Sequence, residues 1–254
     1  MIEKNLKGDV WVVAEQQDGQ LHDVSLELLS KGRELADTLG VKLGAVLLGA
    51  KVDALAARLV QHGADRVLAG EDARLAHYQT NPFAKIVSRL IEEHRPQIVI
   101  FGATSVGRDL APRVASSVRA GLTADCTDLE IGEHVEAHTG RKYEKLLYQI
   151  RPAFGGNIIA TIVNPERWPQ MATVREGVMR MPEADAKRKG EILRFKPDLA
   201  AGDFALKILD HKSAPRKVNL KAARVIVAGG AGVGSKENFR RLWDLANVLG
   251  NFVN

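Results

Sequence analysis

The regular alternation of short apolar segments with longer amphipathic ones over the first 120 residues most constrains the fold. The apolar segments have the length of strands, and between them leucine, isoleucine and valine recur every three or four residues, as in helices. The expected strands are 10–15, 42–49, 65–70 and 96–103, and the expected helices are 25–40, 52–63, 81–94 and 107–120. This spacing predicts βαβ units, and therefore an α/β fold with a Rossmann-like, mostly parallel sheet and helices on both faces.

Local signals mark the ends of these helices. Gly40 follows the last apolar position of the first helix and is expected to end it. Asn81 is the expected N-cap of the third helix, with Pro82 in its first turn. Asp109 is expected in the first turn of the fourth helix. Because ligands of such sheets bind beyond the carboxyl ends of the strands, we expect functional residues where these helices begin.

Beyond Leu122 apolar and polar residues alternate with a period of two, which is typical of strands. Such segments are 128–138, 144–154, 157–163 and 169–179. We interpret them as β-hairpins that extend the sheet. A polar surface loop at 181–192 and a connecting segment at 194–217 are expected to follow.

The chain is therefore expected to contain two domains. Residues 1–210 form the Rossmann-like α/β N-terminal domain, and residues 211–254 begin a second domain with a strand, a glycine loop and a helix. In that loop Gly230, Gly232, Gly234 and Ser235 are of the residue types found in a phosphate-binding turn, in which backbone N–H groups and the start of a helix face an anion. Their spacing is G-x-G-x-G and not the G-x-G-x-x-G of a dinucleotide-binding loop, so a tight turn without a ligand is an equal alternative.

Three further segments place polar side chains where a ligand is expected. The loop 102–113 carries Arg108, which is suited to phosphate or carboxylate, or is simply solvated at a helix surface. Thr123 and Asp125 either line a ligand crevice or a subunit contact, or satisfy local backbone groups. Arg151 interrupts an apolar strand, so it either has a partner, faces a cleft or extends from a sheet edge into water.

Composition and motifs exclude several classes of function. The single cysteine, Cys126, cannot form an internal disulfide and fits a reducing, cytoplasmic location. No apolar run is long enough to span a bilayer. The net charge of +5 is concentrated late in the chain, but without interleaved aromatics or a DNA-binding motif it does not indicate a nucleic-acid partner. No catalytic triad is present, and a metal site at His134, Glu136 and His138 is not favoured.

Four motifs in one order resemble a known family. They are "GATSVGRDLAPRVASSVRAGLTADCTDL", "RPAFGGNIIATI", "RWPQMATVREGVM" and "VIVAGGAGVGSKENF". This series resembles the alpha subunit of an electron transfer flavoprotein over nearly the whole chain. The resemblance implies a heterodimer with a beta subunit, an FAD cofactor, and an electron carrier rather than a catalyst with its own substrate.

The resemblance also implies partners and a role for Arg151. Electrons would come from acyl-CoA or other flavin dehydrogenases and pass to a quinone reductase or a ferredoxin-type acceptor. The "RPAFGGN" motif is similar to the branch that bifurcates electrons, in which a second FAD lies in the beta subunit. In that branch the arginine that matches Arg151 lies near this second flavin and would stabilise its reduced form.

The sequence departs from the family pattern at two points. Ala231 stands where the family's glycine loop has an arginine, and the later FAD-binding motifs do not follow the helix. We therefore expect a C-terminally truncated alpha subunit with an incomplete FAD-binding domain. Two alternatives stay open, namely an adenine-nucleotide-binding α/β module without redox chemistry and an assembly subunit without a cofactor.

Overall fold

A computed structural model describes residues 2–211, 223 and 225–250. The chain divides into two compact units, Met1–Lys207 and Ile208–Asn254. Part of the expected connection between the domains, residues 212–222, and residue 224 lie outside the described residues. The assignment of the second unit to an FAD-binding domain stays a prediction.

A seven-stranded sheet, parallel throughout, forms the centre of the first unit. Its strands are β1 (Val10–Ala14), β4 (Leu43–Gly49), β5 (Arg66–Glu71), β6 (Ile98–Gly102), β7 (Leu122–Cys126), β11 (Gln170–Val174) and β12 (Glu191–Phe195). They lie in the order β12-β5-β4-β1-β6-β11-β7. The chain builds the sheet in one direction from β1 to β5 and then crosses to β6 on the other side of β1. The strand order therefore reverses between β1 and β6, which is where doubly wound sheets open a crevice.

The sheet is covered on both faces, as the sequence predicts. The helices are α1 (Asp23–Leu39), α2 (Asp53–Gln61), α3 (Thr80–His94) and α4 (Ser105–Val118). In β1, Val10 and Val12 face the apolar cluster formed with α1 and α2, whereas Trp11 and Val13 face the cluster formed with α3 and α4. Successive strand residues point to opposite faces, so a strand buried on both faces is apolar throughout.

Two expected helix starts are wrong by one or two residues. Helix α3 begins at Thr80 after Gln79, whose backbone is extended, so Asn81 lies inside the first turn instead of capping it. Helix α4 begins at Ser105 because the Thr104 hydroxyl accepts a hydrogen bond from the Gly107 N–H at 3.0 Å. Asp109 consequently lies beyond the first turn. The expected end of α1 at Gly40 is confirmed, with Gly40 in the left-handed conformation.

The β-hairpins are present but do not extend the main sheet. The strands β8 (Asp128–Val135), β9 (Lys142–Ala153) and β10 (Ile158–Ile162) form a separate antiparallel sheet in the order β10-β9-β8. A short pair, β2 (Gln16–Gln17) and β3 (Gln20–Leu21), follows β1. The segment after the hairpins instead returns to the main sheet as β11.

The edge strand β12 lies where the sequence predicts a surface loop and a connecting segment. Leu193 and Phe195 pack on the cluster that includes α3, Ile192 packs on the cluster of the opposite face, and Glu191 and Arg194 are exposed. The exposed charges make this short strand resemble a loop in sequence. They also protect the edge of the sheet from unwanted strand pairing.

The second unit contains a helix, α5 (Lys236–Gly250), which follows a short 3₁₀ turn at Ala231–Val233. The expected strand before the glycine loop is wrong for residues 225–230, which form neither strand nor helix. A strand needs a neighbour for its backbone hydrogen bonds, and no strand is present among the described residues of this unit. Within the described residues of both units, no helix is long and apolar enough to cross a membrane.

Candidate functional site

An arginine–aspartate cluster lies at the carboxyl edge of the main sheet. Asp125, near the end of β7, accepts a hydrogen bond from Arg108 at 2.8 Å and another from Arg175 at 2.7 Å. Arg108 lies in the first turns of α4, and its Nε also donates to the Ala103 carbonyl at 2.8 Å. Arg175 follows β11 directly. The cluster therefore joins the ends of three neighbouring strands, β6, β11 and β7.

Asp125 has an unusual backbone conformation. Its φ is +67°, in the left-handed region that costs a residue other than glycine roughly 1–2 kcal/mol. The Asp125 N–H donates to Thr173 Oγ1 at 2.9 Å, and the register between β7 and β11 shifts at this point. The hydrogen bond from Arg175, followed by the charges of Arg108, Arg175 and Arg151, holds the pKa of Asp125 below its usual range despite partial burial. Asp125 is therefore an ionised carboxylate that is hydrogen-bonded to two arginines.

Arg151 belongs to the same neighbourhood. The Ile150 carbonyl accepts a hydrogen bond from the Thr127 N–H at 2.8 Å, which brings β9 against the end of β7. Burial raises the pKa of Cys126 to about 12, while the positive charge of Arg151 opposes that shift. Cys126 is fully buried and has the character of an inert core thiol.

The structure thus brings together three of the residues predicted from sequence, Arg108, Asp125 and Arg151. Thr123 lies buried within β7, two residues before Asp125. Arg175 completes the cluster but was not identified from sequence, because "TVREG" reads as an ordinary strand end. The signal that could have identified Arg175 is its position directly after an apolar parallel strand, at the edge where ligands bind.

A second residue missed by sequence reasoning is Glu15, which lies at the reversal of strand order. It follows β1 and is 8% exposed. Thr104 Oγ1 donates to Glu15 Oε2 at 2.6 Å, and the Glu15 N–H donates to Ser25 Oγ at 2.8 Å. Glu15 therefore joins the start of α4 to α1 at the reversal of strand order.

The tip of the β9–β10 hairpin is apolar and exposed, next to the arginines. Phe154, Ile158 and Ile159 are 82%, 53% and 72% exposed. Strand β10 carries no charged residue, and in the described part of the chain its outer edge faces no other strand. An uncharged apolar edge of this kind favours association with another chain.

The glycine loop forms the start of a second candidate site. Ser235 caps α5, since its hydroxyl accepts a hydrogen bond from the Asn238 N–H at 3.2 Å. Gly234 has a φ of +80°, and Gly230 and Gly232 face open space. The loop therefore leaves room for a ligand at the positive end of the helix.

An open cavity of about 670 Å³ lies over this loop, and its walls supply two kinds of contact. Lys236 and Arg240 provide cations, and Phe239 and Trp243 provide aromatic rings. A helix start with cations fits a diphosphate, and aromatic rings fit a planar ring system. These residues fit part of a flavin dinucleotide. Among the described residues, no group of three histidine, cysteine or acidic side chains could hold a metal ion.

Comparison with known proteins identifies the family. The electron transfer flavoprotein domain matches residues 10–200. An electron transfer flavoprotein subunit alpha from Thermoanaerobacterium thermosaccharolyticum is 45% identical over 246 residues, which is 96% of this chain and 72% of that protein. Protein FixB from Clostridium saccharobutylicum is 49% identical over 246 residues, which is 96% of this chain and 70% of FixB.

The chain belongs to the electron transfer flavoprotein family. The predicted fold and the predicted electron transfer flavoprotein role are thereby confirmed. The family match includes the whole parallel sheet, the hairpin and the arginine–aspartate cluster, whereas the glycine loop lies outside it. A more distant relative, the lactate dehydrogenase (NAD(+),ferredoxin) subunit LctC from Acetobacterium woodii, is 36% identical over 252 residues, covering 99% of this chain and 58% of LctC.

Proposed function

We propose that the chain is the alpha subunit of a heterodimeric electron transfer flavoprotein in the cytoplasm. It receives electrons from flavin dehydrogenases, such as acyl-CoA dehydrogenases, and passes them to a quinone reductase or a ferredoxin-type acceptor. The observation that carries the proposal is the cluster of Arg108, Arg151 and Arg175 at the carboxyl edge of a family-matched sheet. Such a cluster stabilises negative charge on a bound group and needs no nucleophile or general acid.

Arg151 faces a flavin held by the beta subunit. Two-electron reduction of a flavin with uptake of one proton adds one negative charge to its ring system. Three arginines against one aspartate leave a net charge of about +2 at the edge, which favours that extra negative charge. The relative LctC is a subunit of a lactate dehydrogenase named for both NAD(+) and ferredoxin, and this supports electron bifurcation for the present chain as well.

The second unit contributes part of a second flavin site. The loop Gly230–Gly234 and Ser235 would receive the diphosphate, together with Lys236 and Arg240, and Trp243 would contact a ring. Ala231 supplies no charge at the position where the family pattern has an arginine. The partner or further residues would have to supply the remaining contacts to the flavin.

The exposed hairpin tip is the surface that we assign to the beta subunit. Its apolar side chains lie on the sheet that carries Arg151, so a subunit seated there would bring its flavin towards the arginines. Burying apolar side chains that are this exposed removes a large apolar area from water, which favours binding of a partner.

The proposal is tested by purifying the chain with and without its beta subunit and recording the visible spectrum. We expect flavin absorption in the heterodimer, and little or none in the chain alone. A heterodimer that stays colourless with added FAD would contradict the flavin function and favour an assembly subunit without a cofactor. Stabilisation of the chain alone by ATP, measured by thermal melting, would favour a nucleotide sensor instead.

Ile159→Lys is expected to weaken the heterodimer at least tenfold, because a charge would be buried in the apolar interface. Titration calorimetry with the beta subunit measures the change. Leu206→Lys is the matched control, since Leu206 is 75% exposed and lies away from the hairpin in sequence. Equal affinities of the two variants would remove the hairpin tip from the interface.

A further inference from the structure

We infer that Asp125 and Arg175 form a charge-setting pair that tunes the reduction potential of the flavin facing the carboxyl edge. The inference rests on the proposed function and deepens it, since it assigns residues of this chain that adjust the field around Arg151. Asp125 and Arg175 act on the flavin by setting the net charge of the cluster that includes Arg108 and Arg151.

The first observation is the backbone of Asp125. A left-handed residue other than glycine persists only where its surroundings hold it in place, and such residues concentrate at functional sites. Here the surroundings are the bond from the Asp125 N–H to Thr173 Oγ1 and the register shift between β7 and β11. This conformation places the carboxylate between Arg108 of α4 and Arg175, which follows β11.

The second observation is that Arg108 and Arg175 bind different oxygens of the Asp125 carboxylate. Arg108 binds one carboxylate oxygen of Asp125 and Arg175 binds the other, at 2.8 and 2.7 Å. The Asp125 side chain is only 16% exposed, whereas the two arginine side chains are 56% and 45% exposed. The negative charge of Asp125 therefore lies beneath the surface, and the positive charges of Arg108 and Arg175 lie on the solvent side of the edge.

The consequence is a field whose strength depends on one carboxylate. With Asp125 ionised, the three arginines leave about two net positive charges near the flavin. Removing the carboxylate charge raises this to about three, and removing Arg175 lowers it to about one. A more positive field stabilises the reduced flavin more than the oxidised one, so the potential rises in the first case and falls in the second.

Asparagine is the appropriate replacement for Asp125. It tolerates the left-handed conformation as well as aspartate does and keeps an oxygen that accepts from arginine. Asp125→Asn therefore changes the charge while the backbone is retained. Arg175→Gln provides an independent variant with the opposite expected sign. Glu191→Gln is the matched control, because Glu191 pairs with Arg66 at 3.1 Å at the other end of the sheet.

The test is spectroelectrochemical titration of the flavin-loaded heterodimer. We expect Asp125→Asn to raise the two-electron potential by about 30 mV, which is a tenfold change in the ratio of affinities for reduced and oxidised flavin. Arg175→Gln should lower the potential, and Glu191→Gln should leave it unchanged. Thermal melting of each variant checks that the fold is intact.

The outcomes separate this inference from the proposed function. A flavin-loaded heterodimer in which both Asp125→Asn and Arg175→Gln keep the wild-type potential would overturn the charge-setting pair alone. Shifts of equal size in Glu191→Gln would overturn it as well, because the effect would then be unspecific. A wild-type heterodimer that holds no flavin would overturn the proposed function, and the inference with it.

Discussion

Replacing Gly107 by alanine is expected to destabilise the first unit by about 3 kcal/mol or more. A Cβ atom at this position would lie 1.8 Å from the carbonyl oxygen of Gly102 and 3.2 Å from Glu15 Oε1. The first obstacle is backbone at the end of β6, which cannot move aside as a flexible side chain can. Helix α4 would have to shift away from the sheet, and Arg108 would move with it.

Urea unfolding of the chain measures this effect as a lower transition midpoint. Gly202→Ala is the control, because a Cβ atom there would meet no atom within 4 Å. That variant should stay within about 0.5 kcal/mol of the wild type. Equal midpoints for the two variants would show that α4 has room at its first turn, contrary to the structure.

This glycine illustrates how far sequence reasoning extends into the site. From sequence, the loop 102–113 is a candidate ligand loop because it carries Arg108. The structure gives Gly107 a packing role, which brings α4 close to the reversal of strand order beside Glu15. A glycine needed for close approach and a glycine needed for a ligand have the same sequence signal.

The parallel sheet could be predicted because its signal is local. Each apolar strand and each amphipathic helix of the first 120 residues is visible within its own segment. The order of the strands is not local. Strand β11 enters between β6 and β7, and β12 pairs with β5, through contacts between residues far apart in sequence. Such pairing cannot be deduced from the periodicity of either strand.

The same distinction applies to the arginine–aspartate cluster. Arg151 stands out because a cation interrupts an apolar strand, and Arg108 because it lies in a helix-starting loop. Arg175 becomes recognisable only when β11 lies beside β7 and Arg175 meets Asp125 at 2.7 Å. The glycine loop, in contrast, has a clear signal in sequence, but the expected strand before it does not form among the described residues.

Arg151→Ala is expected to lower the potential of the flavin in the heterodimer by about 60 mV, a hundredfold change in the ratio of affinities for reduced and oxidised flavin. We expect a larger effect than for Asp125→Asn because Arg151 is proposed to face the flavin directly, whereas Asp125 acts through other residues. Arg151→Lys keeps the charge but loses the planar guanidinium, so it should recover part of the shift.

Arg194→Ala is the matched control for this measurement. Arg194 lies on β12, at the other edge of the sheet, and pairs with Asp53 at 2.7 Å. Its charge is exposed and far from the arginine–aspartate cluster in the strand order, so screening by salt should leave the flavin unaffected. If Arg151→Ala and Arg194→Ala gave the same potential, Arg151 would not face the flavin, and the apolar hairpin beside it would have a role in assembly alone.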